Sequence, residues 1–356
     1  MEEHDPMHQV TQASRKSGSD QSNADEPVVL IPIYNDWHAC SELLRNLDRE
    51  LAKTDRMASV LLVDDGSIEP ASTLLLPDRF HALTAIRVLT LRRNLGHQRA
   101  ICVGLSYIEQ ETTHSAIVVM DGDGQDAPSD VPRLLLEMET EKGIREPIVF
   151  AERARRSENV LFRALYWLYR MVHRVLTGRS VRVGNFSVIP RSRLSGLVLV
   201  PELWSHYAAA VFVSGIPYQS IPTNRADRIA GDSTMDLVRL VTHGLSAITV
   251  FGEHVSVRML LATLLMVGLL FAGGSGVAVA SLMSPWTAPG WVVFVAGLLM
   301  ILVVLSIMFS LLFSFMVLFH RKNPTMIPTR EYSLFIDKHE VVSSNQGVRA
   351  SSAAEG

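Results

Sequence analysis

The stretch Ala116-Ile117-Val118-Val119-Met120-Asp121-Gly122-Asp123-Gly124-Gln125 decides how this chain is read. An apolar run of strand type, Ala116 to Met120, stops at two aspartates separated by one glycine. A buried strand that ends in Asp-x-Asp delivers two carboxylates to the carboxyl edge of a sheet, where open α/β sheets bind ligands. In extended backbone, residues i and i+2 point the same way. Two like charges held that close repel unless a cation sits between them. Mg²⁺ or Mn²⁺ carrying a nucleotide diphosphate suits the position, as a hard ion that takes oxygen ligands and phosphates. The competing reading is a polar surface turn, since Asp and Gly are turn residues.

Upstream, strand and helix patterns alternate. Val28 to Tyr34 reads as a buried strand, and Asn35-Asp36 as the cap of a helix over about 37–52. Ser59 to Val63 is a second strand running into Asp64-Asp65-Gly66-Ser67. Ile86 to Leu91 is a third, and Arg92 to His97 then enters a helix through about Glu109. Downstream, a helix is expected at about 129–142, with Asp130 and Pro132 suited to its first turn, and Ile148-Val149-Phe150 forms a fifth strand. This alternation predicts an α/β fold: a mostly parallel, Rossmann-like sheet with helices on both faces.

After Ala151 the chemistry changes. Seven arginines and one acid, Glu158, lie between Arg153 and Arg179. Arg163, Arg170 and Arg174 form one helical stripe, and Phe162, Leu165, Tyr169, Val172 and Leu176 another. Basic and aromatic amphipathicity of this kind suits a helix lying in a membrane interface. Residues 233–257, with Leu237, Val238, Leu240, Val241, Leu245 and Ile248 mostly on one side, make a second, juxtamembrane helix.

Met259–Met283 and Trp291–Phe319 are 25 and 29 residues without a charge, each longer than the roughly 20 needed to cross a bilayer core. Arg258 precedes the first and His320-Arg321-Lys322 follow the second, so the positive-inside bias places both ends in the cytoplasm. Residues 258–322 therefore read as a two-helix transmembrane hairpin. Gly268, Ala272, Gly276 and Ala280 recur every fourth residue, a seam for close packing within the hairpin or between subunits of a homo-oligomer. Residues 1–26 are polar with no apolar signal region and read as a disordered tail, and the segment after about 337 reads the same way. Between the tails, 27–232 is expected to be the cytoplasmic catalytic domain, and 323–356 a cytoplasmic C-terminal tail. The net charge of −3 carries no polyanion-binding signal, so nucleic acid is not an expected partner. Cys40 and Cys102 make neither a disulfide framework nor a metal knuckle.

Three strand ends thus carry acids on one expected edge: Asp36; Asp64 and Asp65; Asp121 and Asp123. Asp64-Asp65-Gly66-Ser67 suits a nucleoside, because a carboxylate accepts from base N–H or ribose hydroxyls and glycine lets the loop come close. No P-loop and no G-x-G-x-x-G follows the first strand, which argues against a kinase-type NTPase or a dinucleotide oxidoreductase. His97, His206 and His243 lack metal-ligand spacing and read as structural.

Pro32-x-Tyr34-Asn35, Asp64-Asp65-Gly66-Ser67, Asn94-Leu95-Gly96-His97 and Asp121-x-Asp123-x-Gln125 together resemble the family 2 glycosyltransferases of the GT-A fold. Within them the chain is similar to the polyprenyl-phosphate type, the dolichyl-phosphate mannose synthases and the bactoprenol glucosyl transferases. The resemblance covers about residues 27–255. It implies that Pro32, Tyr34, Asp36, Asp64 and Asp65 bind the nucleotide, and that Asp121, Asp123 and Gln125 hold the metal. It implies that Gly184-Asn185-Phe186-Ser187 lies near acceptor and sugar, and that Arg153 contacts phosphate, with Arg155 beside it. Arg228-x-x-Gly231-x-Ser233 would close over the site. The chain departs from the family in Asp36, where Glu is usual, and in Thr234, where Lys is usual. No Gln-x-x-Arg-Trp motif is present, which argues against processive polymerisation.

The resemblance implies an inverting, metal-dependent transfer of a hexose from a UDP- or GDP-sugar to polyprenyl (undecaprenyl) phosphate. Its bacterial branch, which the hairpin fits, implies the cytoplasmic face of the inner (plasma) membrane. A lipid phosphate is largely dianionic at neutral pH and needs no general base. What it needs is cationic docking, which Arg153, Arg155, Arg156 and Arg163 are placed to give. Two alternatives stay open: another lipid acceptor, whose hydroxyl would demand a base, and an inactive membrane-anchored scaffold of the same fold.

Overall fold

The strand at Val28–Ile33 (β1) has no polar residue and is buried along its whole length. Ala58–Asp64 (β2) is likewise buried throughout. Strands of this composition fit only the interior of a sheet covered on both faces. In a computed structural model that describes residues 26–77, 79–140, 146–153, 171, 174–178, 183–223, 226, 229, 246, 248–283, 290–322 and 326–344, they are such strands. β1 pairs in parallel with β2 on one side and with β4 (Ala116–Val119) on the other. β2 pairs in parallel with β3 (Leu83–Leu91). The full order is β7-β5-β6-β4-β1-β2-β3-β8, where β5 is Ile148–Arg153, β6 Val183–Pro190, β7 Tyr218–Thr223 and β8 Ile336–Ser344. Only β6 and β8 run against the rest, so the sheet is mostly parallel.

The helices follow the predicted alternation. α1 is Trp37–Ala52, α2 His97–Glu111 and α3 Val131–Thr140, the last preceded by a single turn at Pro128–Asp130. α4 (Arg191–Leu197) and α5 (Tyr207–Val213) are short. α1 and α3 cover one face, where Leu43, Leu44, Leu47, Leu134 and Leu135 meet Ile31, Leu62 and Val118. α2, α4 and α5 cover the other, where Ile101, Leu105, Leu194 and Tyr207 meet Leu30, Val63 and Phe150.

Gly252–Met283 (α6) and Gly290–Lys322 (α7) are both apolar and long enough to cross a bilayer. Their apolar stretches, Gly252–Gly276 and Phe294–Val317, are only 17% and 11% buried by the rest of the chain. A core helix of that length would be covered. α6 and α7 pack on each other, the start of one beside the end of the other, with Gly252 against Val317. Their foot is set into the domain: Phe251, Val255, Phe313 and Tyr332 belong to the apolar cluster under α2. Arg258 reinforces it, donating to the carbonyls of Val175 (2.8 Å) and Arg174 (3.4 Å) just before the left-handed Gly178.

Two expectations need correction. Part of the segment read as a disordered tail is β8, and it adds to the edge of β3 from Leu91↔Ile336 to Ala85↔Ser344. It is fastened by the short helix α8 (Pro328–Glu331) and the turn after it, where the Tyr332 hydroxyl donates to Glu111 (2.9 Å) and Phe335 packs on Trp204. Asp337, Lys338, His339 and Glu340 are exposed along it beside Val341 and Val342, and edges carry charge to block further pairing. The sheet therefore does not end within 27–232. The second correction is β6, an antiparallel strand inserted between β4 and β5, which the sequence reading did not separate. The tail 1–25 and most of the two amphipathic segments lie outside the described residues.

Ending the chain at Phe335 would uncover the edge of β3. We expect a lower thermal midpoint and aggregation of the solubilised protein, and Tyr332→Phe alone should cost about 1 kcal/mol. An unchanged midpoint on truncation would show that β8 contributes no stability.

Candidate active site

In the order β3-β2-β1-β4 the direction of winding reverses between β1 and β4. At such a reversal the loops leaving the two strands part and open a crevice beyond their carboxyl ends. Asp121 and Asp123 leave β4 at that crevice, and Pro32 to Asp36 leave β1 beside them. The two loops touch: a Cβ on Gly122 would lie 3.2 Å from the Pro32 carbonyl oxygen.

The turn carrying the aspartates is tightly held. The backbone N–H of Asp121 donates to the buried carboxylate of Asp126 (2.9 Å), and that of Gln125 donates to Asp123 Oδ1 (3.0 Å). Gly124 is left-handed, and a Cβ there would strike Ile229 at 2.4 Å. Ile229 and Ala226 lie over the turn, their amides donating to the carbonyls of Asp123 and Gln125 (both 3.1 Å). The segment flanking Arg228 thus covers the acidic turn, while Arg228 and Ser233 themselves lie outside the described residues.

A histidine faces Asp121. His97, the first residue of α2, sets Nε2 3.0 Å from Asp121 Oδ1. Partial burial lowers the His97 pKa, but the carboxylates of Asp121, Asp126 and Asp123 outweigh it and the net shift is upward. Asn185 on β6 approaches the same oxygen with Nδ2 at 3.4 Å. Register explains this: Val119 pairs with Ser187 in antiparallel β4–β6, and two residues further on Asn185 comes opposite Asp121.

The nucleotide residues expected from sequence lie at the ends of β1 and β2. Tyr34 is 47% exposed at the rim. Asn35, at φ 54°, bridges the loops, its N–H donating to Ser67 Oγ (2.9 Å) and its Oδ1 accepting from Ile68 (2.7 Å). Asp36 begins α1, but its side chain makes no capping bond. Asp64 is buried and accepts from the Ser67 amide (2.9 Å).

Three sequence assignments change. Asp65 is buried, and both its oxygens accept backbone amides, from Leu95 (2.7 Å) and Gly96 (2.8 Å). Burial raises its pKa, against the two amides and His97. It clamps the β3–α2 loop rather than facing a ligand. Gly66, left-handed, makes the clamp feasible, since a Cβ would fall 2.6 Å from the Arg93 carbonyl carbon. Phe186 is buried in the core, and Ser187 is fully buried, bonded to the Asn185 carbonyl (2.9 Å) and the Tyr207 hydroxyl (2.7 Å). Neither lines the crevice; of that trio Asn185 alone does. Arg153 ends β5 on the same edge, opposite Thr223. Arg155 lies outside the described residues. His97, read as structural, is instead at the centre, and its position opening a helix after the third strand was the available signal. His206 is structural as expected, capping α5 through Nδ1 (3.4 Å to the Ala209 amide).

Among the described residues no group of three His, Cys, Asp or Glu side chains is arranged to hold a metal alone. Asp121 and Asp123 nevertheless fit a hard divalent cation that arrives on a diphosphate, because such ions keep one or two protein carboxylates and fill the remaining positions with phosphate and water. Their mutual repulsion, offset in part by His97, is the chemical reason for the fit.

Residues 28–195 match the family model for Glycosyl transferase family 2, and this part of the chain is a family 2 glycosyltransferase domain. The chain is 26% identical over 270 residues to "Uncharacterized glycosyltransferase YkcC" of Bacillus subtilis (strain 168), covering 74% of this chain and 80% of that protein. It is 26% identical over 269 residues to the undecaprenyl-phosphate 4-deoxy-4-formamido-L-arabinose transferase of Klebsiella pneumoniae subsp. pneumoniae, covering 69% and 77%. Among solved structures it is similar to glucosyl-3-phosphoglycerate synthase from Mycobacterium tuberculosis in complex with Mn²⁺, UDP-glucose and phosphoglyceric acid. There the TM-score is 0.44, with 15% identity, 69% of this chain covered and 86% of that one.

Asp65→Ala would strand two buried amides, costing about 2 kcal/mol in denaturation experiments. Loss of nucleotide binding with unchanged stability would instead return Asp65 to the ligand.

Proposed function

We propose that this family 2 glycosyltransferase moves a hexose from a UDP- or GDP-hexose onto polyprenyl (undecaprenyl) phosphate, with inversion, at the cytoplasmic face of a bacterial inner membrane. The observation that carries the reading is the meeting of an acid pair at a sheet's switch point with a chain that leaves the domain through an apolar hairpin and rejoins it as β8. Because residues before α6 and after α7 belong to one folded domain, two crossings return the chain to its starting side. Arg258 and His320-Arg321-Lys322 at the two feet favour the cytoplasm for that side. Relatives named as undecaprenyl-phosphate sugar transferases support a lipid phosphate as acceptor.

In this reading Tyr34, Asp36 and Asp64 receive the nucleoside at the ends of β1 and β2. Asp121 and Asp123, with Gln125, would hold Mg²⁺ or Mn²⁺ on the diphosphate, and such an ion would supply charge to offset that developing on the leaving group. A phosphate oxygen of the lipid attacks the anomeric carbon, the bond from that carbon to the diphosphate breaks, and the nucleoside diphosphate leaves. The attacking phosphate is already anionic, so no side chain need remove a proton. Asp65 and Asp126, two carboxylates beside the acid pair, are engaged with backbone amides, which supports this reading. Arg153, at the end of β5 on the same edge, with Arg155 two residues further on, would dock the acceptor phosphate, as guanidinium forks match its geometry. The resemblance gives Arg228 and Ser233 a part in closing over the site, and the neighbouring Ala226 and Ile229 that cover the acidic turn support it. The hairpin foot, packed into the core beside α2, would keep the crevice close to the lipid headgroups.

Membranes carrying the protein, given UDP- and GDP-hexoses with undecaprenyl phosphate, should yield glycosylated lipid phosphate by mass spectrometry. Asp123→Asn should lower the yield about 100-fold or more, as should excess EDTA. Full activity in either case would sink the metal assignment. Arg153→Ala should raise KM for the lipid more than for the nucleotide sugar, and an equal rise in both would remove Arg153 from the acceptor site.

A further inference from the structure

Asp121 is reached by a chain of side chains that begins far from the crevice. Tyr207 opens α5, and its backbone N–H is one of the amides a helix leaves without an internal partner. It donates to Gln98 Oε1 at 2.7 Å. Gln98 Nε2 donates to Asn185 Oδ1 at 3.0 Å. Asn185 Nδ2 then points at Asp121 Oδ1, 3.4 Å away and beside His97 Nε2. Asn185 Nδ2 also lies 3.0 Å from His97 Nε2, a hydrogen-bond distance whose direction is set by the imidazole tautomer. The order of these bonds is forced. A backbone N–H can only donate, so the Gln98 oxygen must face Tyr207 and its NH₂ must face Asn185. The Asn185 oxygen is thereby engaged, and only its NH₂ is left for Asp121. The far end is braced as well: the Tyr207 hydroxyl meets Ser187 Oγ at 2.7 Å, and Ser187 Oγ donates to the Asn185 carbonyl at 2.9 Å.

We propose that Gln98 and Asn185 form an amide relay of fixed polarity that orients the Asp121 carboxylate for the metal–diphosphate, which makes Gln98 a positioning residue although it touches neither. The proposal rests on the reading of Asp121 and Asp123 as metal ligands. It departs from the sequence expectation that Asn185 contacts acceptor or sugar. It also explains the identity of the residues. A glutamate at 98 would accept from Tyr207 but have no proton for Asn185. The Asn185 amide would then turn and set its oxygen against Asp121. Outer-sphere groups that orient metal-binding carboxylates typically govern metal affinity by 10- to 100-fold.

The test is Mn²⁺ titration of the purified full chain by electron paramagnetic resonance, with Mn²⁺ alone and with UDP added. Thermal midpoints check folding, and Gln98→Met, which keeps the volume without the amide, replaces Gln98→Glu if that variant does not fold. Asn185→Ala and Gln98→Glu should each weaken Mn²⁺ binding about 10-fold. In the double variant the Gln98→Glu effect should vanish, because Gln98 acts only through Asn185. Unchanged Mn²⁺ affinity in Asn185→Ala, or additive losses in the double variant, would overturn the relay while leaving the metal site standing. A wild-type chain that binds no Mn²⁺ under either condition would overturn the metal reading and the relay together.

Discussion

Two carboxylates held side by side at the end of one strand repel, and most of what surrounds them in this protein manages that repulsion. Asp121 and Asp123 sit where the winding of the sheet reverses between β1 and β4. The turn that carries them is fixed from below by Asp126 and from above by the amides of Ala226 and Ile229. His97 sets its imidazole against Asp121, whose carboxylate pushes the His97 pKa up, and Asn185 brings a neutral donor. None of these contacts neutralises the pair, so a divalent ion and its diphosphate remain the natural complement.

The rest of the architecture delivers reactants to that point. The loops after β1 and β2 are tied to each other through Asn35, Ser67 and Ile68, and the β3–α2 loop is tied to β2 through Asp65. The apolar hairpin is seated in the same core that supports α2, so its foot and α2 share packing residues. β8 closes the circuit by bringing the chain back from the hairpin to the edge of the sheet. One folded unit thus carries both the crevice and the segments suited to a bilayer.

The central strands were legible in sequence because strands buried on both faces are continuous apolar runs, as in β1 and β2. The acidic strand ends were legible because they interrupt those runs. β8 was not, since Asp337, Lys338, His339 and Glu340 give an edge strand the composition of a solvated tail. β6 was hidden because its antiparallel placement between β4 and β5 is a property of the whole sheet rather than of residues 183–190. The relay left no pattern at all: Gln98 and Asn185 are 87 positions apart, and paired amides need no characteristic spacing. Asp65 was misread for a related reason. A carboxylate beside a glycine at a strand end looks the same whether it meets a ribose or the backbone of a neighbouring loop.

The central claim is that the anionic phosphate of a lipid, not a hydroxyl, is the nucleophile brought to the diphosphate. The most direct measurement reconstitutes the full chain in vesicles with the nucleotide sugar it uses, and compares undecaprenyl phosphate with undecaprenol as acceptor. Glycosylated lipid from the phosphate alone is the predicted result. Equal product from undecaprenol would contradict the account, since a hydroxyl needs a base to remove its proton and an anionic phosphate does not.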